Sequence, residues 1–239
     1  MATTATIQRI SRDRRLYIWA AVFIPIIVLI GFARSYYLKG FFHTPALPGL
    51  LVHLHGAVMT CWVVLFVTQV SLVATRRTRV HQRLGIAGAV VAAVVVVVGI
   101  ATAISSAQRN AVSGPGVLQF LAIPLSDMLM FAVLVGTALY FRRQPEIHKR
   151  LMLVAALSLL SAAIARIPLH FIAVGGPLVF LGLTDMCVLA CVVFDIARNR
   201  RLHPAFLWGT LLLVVSQPLR LILAGTDTWM RFAAWLIGQ

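Results

Sequence analysis

Seven long apolar runs, separated by short polar turns, dominate this chain of 239 residues. They occupy residues 16–36, 49–74, 84–106, 116–141, 151–174, 177–197 and 204–224. A helix needs about 20 mostly apolar residues to cross roughly 30 Å of hydrocarbon, so each run is long enough to span a bilayer. Hydrophobic residues form 61% of the chain and charged residues 11%, which is too apolar for a soluble core of this size. Because backbone groups in lipid must bond to one another, the sequence predicts an all-α integral membrane protein with seven transmembrane helices.

Basic residues collect on one side of this topology. The chain has a formal net charge of +15, which in a soluble protein would suggest a nucleic-acid partner. Here four clusters, which hold 15 of the 21 arginines and lysines, precede the first span or follow the second, fourth and sixth spans. The positive-inside rule therefore predicts a cytoplasmic N-terminus and an outer C-terminus. This distribution indicates a multi-pass protein of a bacterial inner membrane and no nucleic-acid partner. Residues 1–15 are then a basic cytoplasmic N-terminus, 16–224 the membrane domain and 225–239 an interfacial tail on the outer side.

Three turns on the basic side share a histidine-bearing phrase. The phrases are "RRTRVHQRLG" (76–85), "RRQPEIHKRLM" (142–152) and the looser "ARNRRLHPAFLWG" (197–209). Their marked residues are Arg77, His81, Arg143, His148, Arg201 and His203. Such turns are expected to lie against anionic lipid head groups. Together with the "LSDM" and "LTDM" segments of the fourth and sixth spans, they predict one leading helix followed by three repeated helical hairpins.

The first two phrases resemble the His-x-Arg-Leu turns of a group of uncharacterised bacterial multi-span membrane proteins. The resemblance extends from about His55 to Arg166 and implies a membrane protein without implying an activity. The turns are also similar to those of cytochrome b561-like proteins. This chain departs from that family because it lacks paired histidines inside the helices.

Six ionisable side chains lie inside or near the outer ends of the spans. They are Asp127, Asp185, Arg166, Arg220, His55 and His170. Counted from the predicted span ends at about 1.5 Å per residue, all six lie roughly 6 to 15 Å deep in the outer half. Charged groups are costly there and are usually paired or functional. The cluster therefore indicates either ion pairs that fix helix register, or a pocket that binds or moves a small polar solute, an ion or a proton.

The spacing predicts particular contacts within the cluster. Arg166 and His170 are four residues apart and would share one face of the fifth span, with Pro168 kinking that helix between them. Asp127 and Asp185 occupy matched positions in their hairpins and could flank Arg166. Two carboxylates would then face two guanidinium groups.

Other kinds of site stay open at this point. His55 and His170 could hold a b-type haem, which would make the protein a membrane redox protein. Zinc on His81, His148 and His203 is disfavoured by the surrounding arginines, and a metal held by the outer histidines and carboxylates is disfavoured by Arg166 and Arg220. The chain could also be a non-catalytic membrane subunit of a larger complex.

Overall fold

The computed structural model describes the backbone of residues 4–239 and the side chains from Arg14 onward. Arg9 and Arg12 of the predicted basic N-terminus therefore lie outside the described side chains. Within residues 4–239 the chain is helical and contains no β-strand, including at the valine-rich stretch 91–98. The helices are α1 (Thr4–Phe32), α2 (Leu50–Ala74), α3 (Thr78–Asn110), α4 (Gly116–Tyr140), α5 (Pro145–Ser158), α6 (Leu160–Ile164), α7 (His170–Asn199), α8 (Pro204–Ala224) and α9 (Asp227–Ile237). A π-helical turn, Ala33–Tyr37, extends α1, and a 3-10 turn, Ala111–Ser113, extends α3.

Seven of these segments are long and apolar enough to cross a membrane, counting α5 and α6 as one span. The predicted all-α, seven-span fold is thus confirmed, and the protein is a multi-pass membrane protein. Large apolar side chains cover the outside of the bundle, among them Ile86, which is 74% exposed, and Leu178, which is also 74% exposed. Such a surface suits lipid rather than water.

The fifth and sixth spans differ from the prediction. The predicted fifth span, 151–174, is replaced by Pro145–Ile164, after which the chain turns and His170 begins α7. Pro168 explains the difference, because the residue before a proline is pushed out of the helical region and helices end there. The Gly175–Gly176–Pro177 segment, predicted as a turn, lies inside α7 as a kink where Gly176 has a φ of 55°.

The span formed by α5 and α6 is the most enclosed of the seven. Leu153, Val154 and Ala155 of α5 are fully buried, and α4 and α8 pack against them through Phe131 and Phe206, which are also fully buried. Gly31 of α1 allows an unusually close approach to this span, because a Cβ built there would lie 2.2 Å from the carbonyl oxygen of Ala163 in α6.

The basic turns meet at one end of the bundle, called the basic end below. The His81 and His148 rings are 6.3 Å apart between centroids, and the Arg14 guanidinium donates to the carbonyl oxygen of Ala74 at 3.4 Å. The short helix α9 packs near the opposite end, where Trp229 Nε1 donates to the carbonyl oxygen of Leu118 at 2.8 Å.

Candidate functional site

A cavity of about 690 Å³ opens between α1, α2, α3, α4 and α6, and is called the central cavity below. Its volume falls within the range of about 300–1,000 Å³ that is usual for small-molecule sites. Most of its wall is apolar, supplied by side chains such as Val28, Met59, Trp62, Phe66, Met128 and Phe180. A few polar groups interrupt that wall, and they include three of the six predicted cluster residues: His55, Asp127 and Arg166.

The carboxylate of Asp127 is already engaged by protein groups. It pairs with the guanidinium of Arg220 on α8, and it accepts a hydrogen bond of 2.8 Å from Ser161 on α6. Ser216 holds Arg220 in turn, since its hydroxyl accepts from Arg220 Nη2 at 3.1 Å. Both members of the ion pair are buried. The network joins α4, α6 and α8 and neutralises the one carboxylate among the described residues that line the cavity.

Arg166 follows α6 in the turn created by Pro168, and its guanidinium lines the central cavity. Nη1 donates to the carbonyl oxygen of Ala162 at 2.6 Å, and the guanidinium carbon lies 4.9 Å from the centroid of the Phe32 ring. Within the described side chains no carboxylate pairs with it, so the predicted contact with Asp127 and Asp185 is wrong. The turn leaves a cation at the cavity wall with most of its hydrogen-bonding capacity unused.

His55 lines the cavity from α2, within electrostatic range of Arg166. Its Nδ1 is enclosed and has no hydrogen-bond partner in the described part of the chain. An unprotonated Nδ1 is the less costly state, because an enclosed N–H without an acceptor would lose its full hydration. The ring proton then belongs on Nε2, which is not among the enclosed atoms without a partner.

Asp185 and His170 lie outside the cavity wall as the structure describes it. Asp185 is half-buried and accepts a hydrogen bond of 2.7 Å from Gln217 on α8. His170 is exposed at the start of α7, so it does not share a helix face with Arg166 as predicted. His55 is the one histidine among the lining residues, and the predicted bis-histidine haem site therefore gains no support from the geometry.

The predicted residues of the basic turns divide into two groups. Arg77, Arg143 and Arg201 are exposed, and their contact with anionic lipid head groups stays a prediction. His148 Nδ1 lies 2.8 Å from the carbonyl oxygen of Ala138, and His203 Nδ1 accepts from the backbone N–H of Ala205 at 3.1 Å, capping α8. Burial, together with the nearby Arg150 guanidinium, lowers the pKa of His203. Among the described residues, no three histidine, cysteine, aspartate or glutamate side chains form a metal-binding group.

A second buried ion pair was missed by the sequence analysis. Arg150 was assigned to the surface of a basic turn, yet it is 2% exposed and pairs with Asp195 of α7 at 2.8 Å. Two more residues complete the network. Glu146 accepts from Arg150 at 2.6 Å, and Asn199 donates to Asp195 at 3.0 Å. Asp195 was the signal that could have revealed it, because a carboxylate near the end of an apolar span is usually paired.

Comparison with protein-family models, curated proteins and solved structures found no match.

Proposed function

We propose that the protein is a solute-binding membrane protein of the transporter type, which binds or moves a small solute through the central cavity. The observation that carries this proposal is an open, mostly apolar cavity with two under-used polar groups on its wall. Among the described residues, Arg166 pairs with no carboxylate and His55 Nδ1 has no hydrogen-bond partner. A purely structural cluster would pair such groups internally, as Asp127 and Arg220 are paired.

The discontinuous fifth span supports the same proposal. Helix breaks within a membrane are tolerated where the backbone lines a cavity, and transporters place their substrate sites at such breaks. Here the helix is interrupted at Leu159 and ends at Ile164, and the cavity wall includes residues 159–162, 165 and 166.

A solute fits this site better than a bare cation. The cavity's carboxylate is neutralised by Arg220, and the remaining charged groups on its wall are the arginines Arg109 and Arg166. Their field would repel a metal ion or a proton. The haem and subunit alternatives have no comparable observation in their favour.

The test is a ligand screen on purified protein with a cavity-filling variant. Val63 lines the cavity, whereas its neighbour Val64 is 59% exposed on the outer surface of the bundle. Val63→Trp should abolish the increase in melting temperature that a bound solute produces, because the added ring occupies the cavity. Val64→Trp is the matched control and should retain it. A panel of neutral, anionic and cationic small molecules that stabilises neither wild type nor Val64→Trp would overturn the proposal.

We also propose that the basic end faces the cytoplasm of a bacterial inner membrane, with the cavity nearer the outer side. The arginine-rich turns at that end support this orientation. Cysteine labelling in intact cells tests it: Ser113→Cys, in the turn between α3 and α4, should react with a membrane-impermeant maleimide, and Gln144→Cys should not. Each variant would need the native cysteines to be replaced first.

A further inference from the structure

We propose that the solute of the central cavity is an amphipathic organic acid, bound with its carboxylate on Arg166 and its apolar body along the aromatic and methionine wall. The inference rests on the proposed function of the cavity and names the chemical class of its ligand.

The charge on the cavity wall selects for an anion. Arg109 and Arg166 are the cations that line it, and neither forms a salt bridge with a described carboxylate. Arg109 lies at one edge, where Nη1 donates to the Ser105 hydroxyl at 2.6 Å and the side chain is exposed. Since Asp127 is balanced by Arg220, the wall carries an excess of positive charge. Both side chains are exposed at the cavity wall, and their unbalanced charge favours a negatively charged ligand.

The geometry of Arg166 favours a carboxylate in particular. The protein uses Nη1 of the guanidinium through the Ala162 carbonyl, and no acceptor among the described residues reaches Nε or Nη2. These two nitrogens form one edge of the planar group, and that edge matches the two oxygens of a carboxylate. The Phe32 ring lies 4.9 Å from the guanidinium carbon, close enough for a cation–π contact that restrains the guanidinium. The site is thus organised before a ligand arrives.

His55 adds a second polar contact from the facing helix α2. Its enclosed Nδ1 favours the tautomer with the proton on Nε2, as argued above. In that form the ring donates a hydrogen bond and suits the carboxylate or an adjacent carbonyl oxygen of the same ligand. A cationic ligand would meet a donor and a guanidinium together, which is an unfavourable arrangement.

The rest of the cavity requires the ligand to have an apolar body. An inorganic anion would occupy a small part of about 690 Å³ and leave the surfaces of Trp62, Phe66 and Met128 without contacts. An alkyl chain or ring system covers those surfaces and gains the free energy of their burial. An amphipathic acid is the class that satisfies both the polar and the apolar parts of the wall.

The experiment compares acids with neutral amides of the same shape. Purified protein in nanodiscs of zwitterionic lipid is titrated with alkanoates of six to twelve carbons and with the corresponding alkanamides, and binding is followed by tryptophan fluorescence, with empty nanodiscs as the blank. We expect at least one alkanoate to bind about tenfold or more tightly than its amide. Arg166→Gln should abolish that preference, Arg166→Lys should keep part of it because the charge remains, and the exposed Arg231→Gln should keep all of it.

Two outcomes would overturn the inference in distinguishable ways. If acid and amide bind equally, and Val63→Trp blocks both, the cavity binds solutes but does not select acids, so the proposed function survives alone. If no alkanoate binds to a wild-type protein that elutes as a single folded species, the inference fails, and the wider ligand panel decides the proposed function separately. Dioleoyl phosphatidic acid added to the nanodiscs tests whether the bound anion is a lipid phosphate instead of a free acid. If this lipid displaces a bound alkanoate more strongly than any other alkanoate does, the assignment to a free acid is contradicted.

Discussion

Arg150 and Asp195 form a two-pronged ion pair between α5 and α7. Arg150 Nη2 donates to Asp195 Oδ1 at 2.8 Å, and Arg150 Nε donates to Oδ2 at 3.2 Å. Both side chains are almost fully buried, and the Phe206 ring lies 5.7 Å from the guanidinium. The pair restrains the rotation of the two helices about their axes, because separating it would leave the buried Asp195 carboxylate without a counter-charge.

Asp195→Asn should destabilise the protein by about 3–5 kcal/mol, because it leaves the buried Arg150 without its main counter-charge. Thermal unfolding in detergent measures the effect. Asp227→Asn is the matched control: Asp227 is exposed at the start of α9, where its loss removes only a helix-end interaction of about 0.3–1 kcal/mol. The double variant Arg150→Met with Asp195→Leu should recover much of the loss, and a double variant less stable than Asp195→Asn would contradict the assignment of the pair.

Asp127→Asn should lower stability by a similar amount without weakening acid binding. The substitution leaves the Arg220 charge uncompensated, while the proposed carboxylate contact at Arg166 is untouched. Fluorescence titration with alkanoates should therefore give an unchanged or a tighter dissociation constant. Asp185→Asn is the comparison, since the half-buried Asp185 is bonded to the neutral Gln217 and its replacement should cost less stability. An acid preference lost in Asp127→Asn would contradict the placement of the ligand's carboxylate on Arg166.

Gly31→Ala should be destabilising by about 1–3 kcal/mol, since the added methyl would lie against backbone that cannot rotate away. Gly136→Ala provides the opposite control: Gly136 is in the C-terminal part of α4, exposed, with no atom within 4 Å of a Cβ built there. That replacement should stabilise the helix by up to about 1 kcal/mol. The measurement is the shift in melting temperature of each variant relative to wild type. Equal shifts in the two variants would show that α1 and α6 are not in close contact.

His203 should make stability fall as the pH drops. Its pKa is lowered by burial and by Arg150, so the unfolded chain takes up a proton before the folded one does. The contribution of His203 to the free energy of unfolding is therefore complete above its pKa in the unfolded chain, about 6.5. It is lost as the pH falls from there toward the lower pKa in the folded protein. His203→Asn keeps a side-chain acceptor at the start of α8 but cannot titrate, so it should flatten the dependence of melting temperature on pH between about 7 and 5. His43→Asn, at an exposed site, should leave the curve as in wild type.

The sequence predicted the helices well and the partners of the charged residues poorly. Run lengths and bilayer thickness determine the spans, and six of the seven predicted segments lie within or nearly match observed helices. Pro168 was recognised as a kink but not as the end of the span, because a proline inside a membrane helix often only bends it. That one difference moved His170 to another helix and separated it from Arg166.

The contacts of the site residues were harder to predict, because the depth of a residue in the membrane does not say which side of its helix it lies on. Asp127 and Arg220 were predicted at different depths, about 15 and 7 Å, yet they pair because the long arginine side chain reaches along the helix axis. Arg150 was placed at the surface because it stands in a basic turn, and only the central position of α5 buries it. Which side of each helix faces the centre depends on packing among all seven, and one sequence contains too few polar markers to specify it.

Gly31, which has no side chain, limits how the cavity can change shape. Backbone touches backbone there, so α1 and α6 have no intervening group that could rearrange to let them slide past each other. Both helices contribute to the cavity wall, so they form a fixed frame. Asp127 also ties α4 to this frame through Ser161, so entry or exit of a solute depends on movement of α2 and α3.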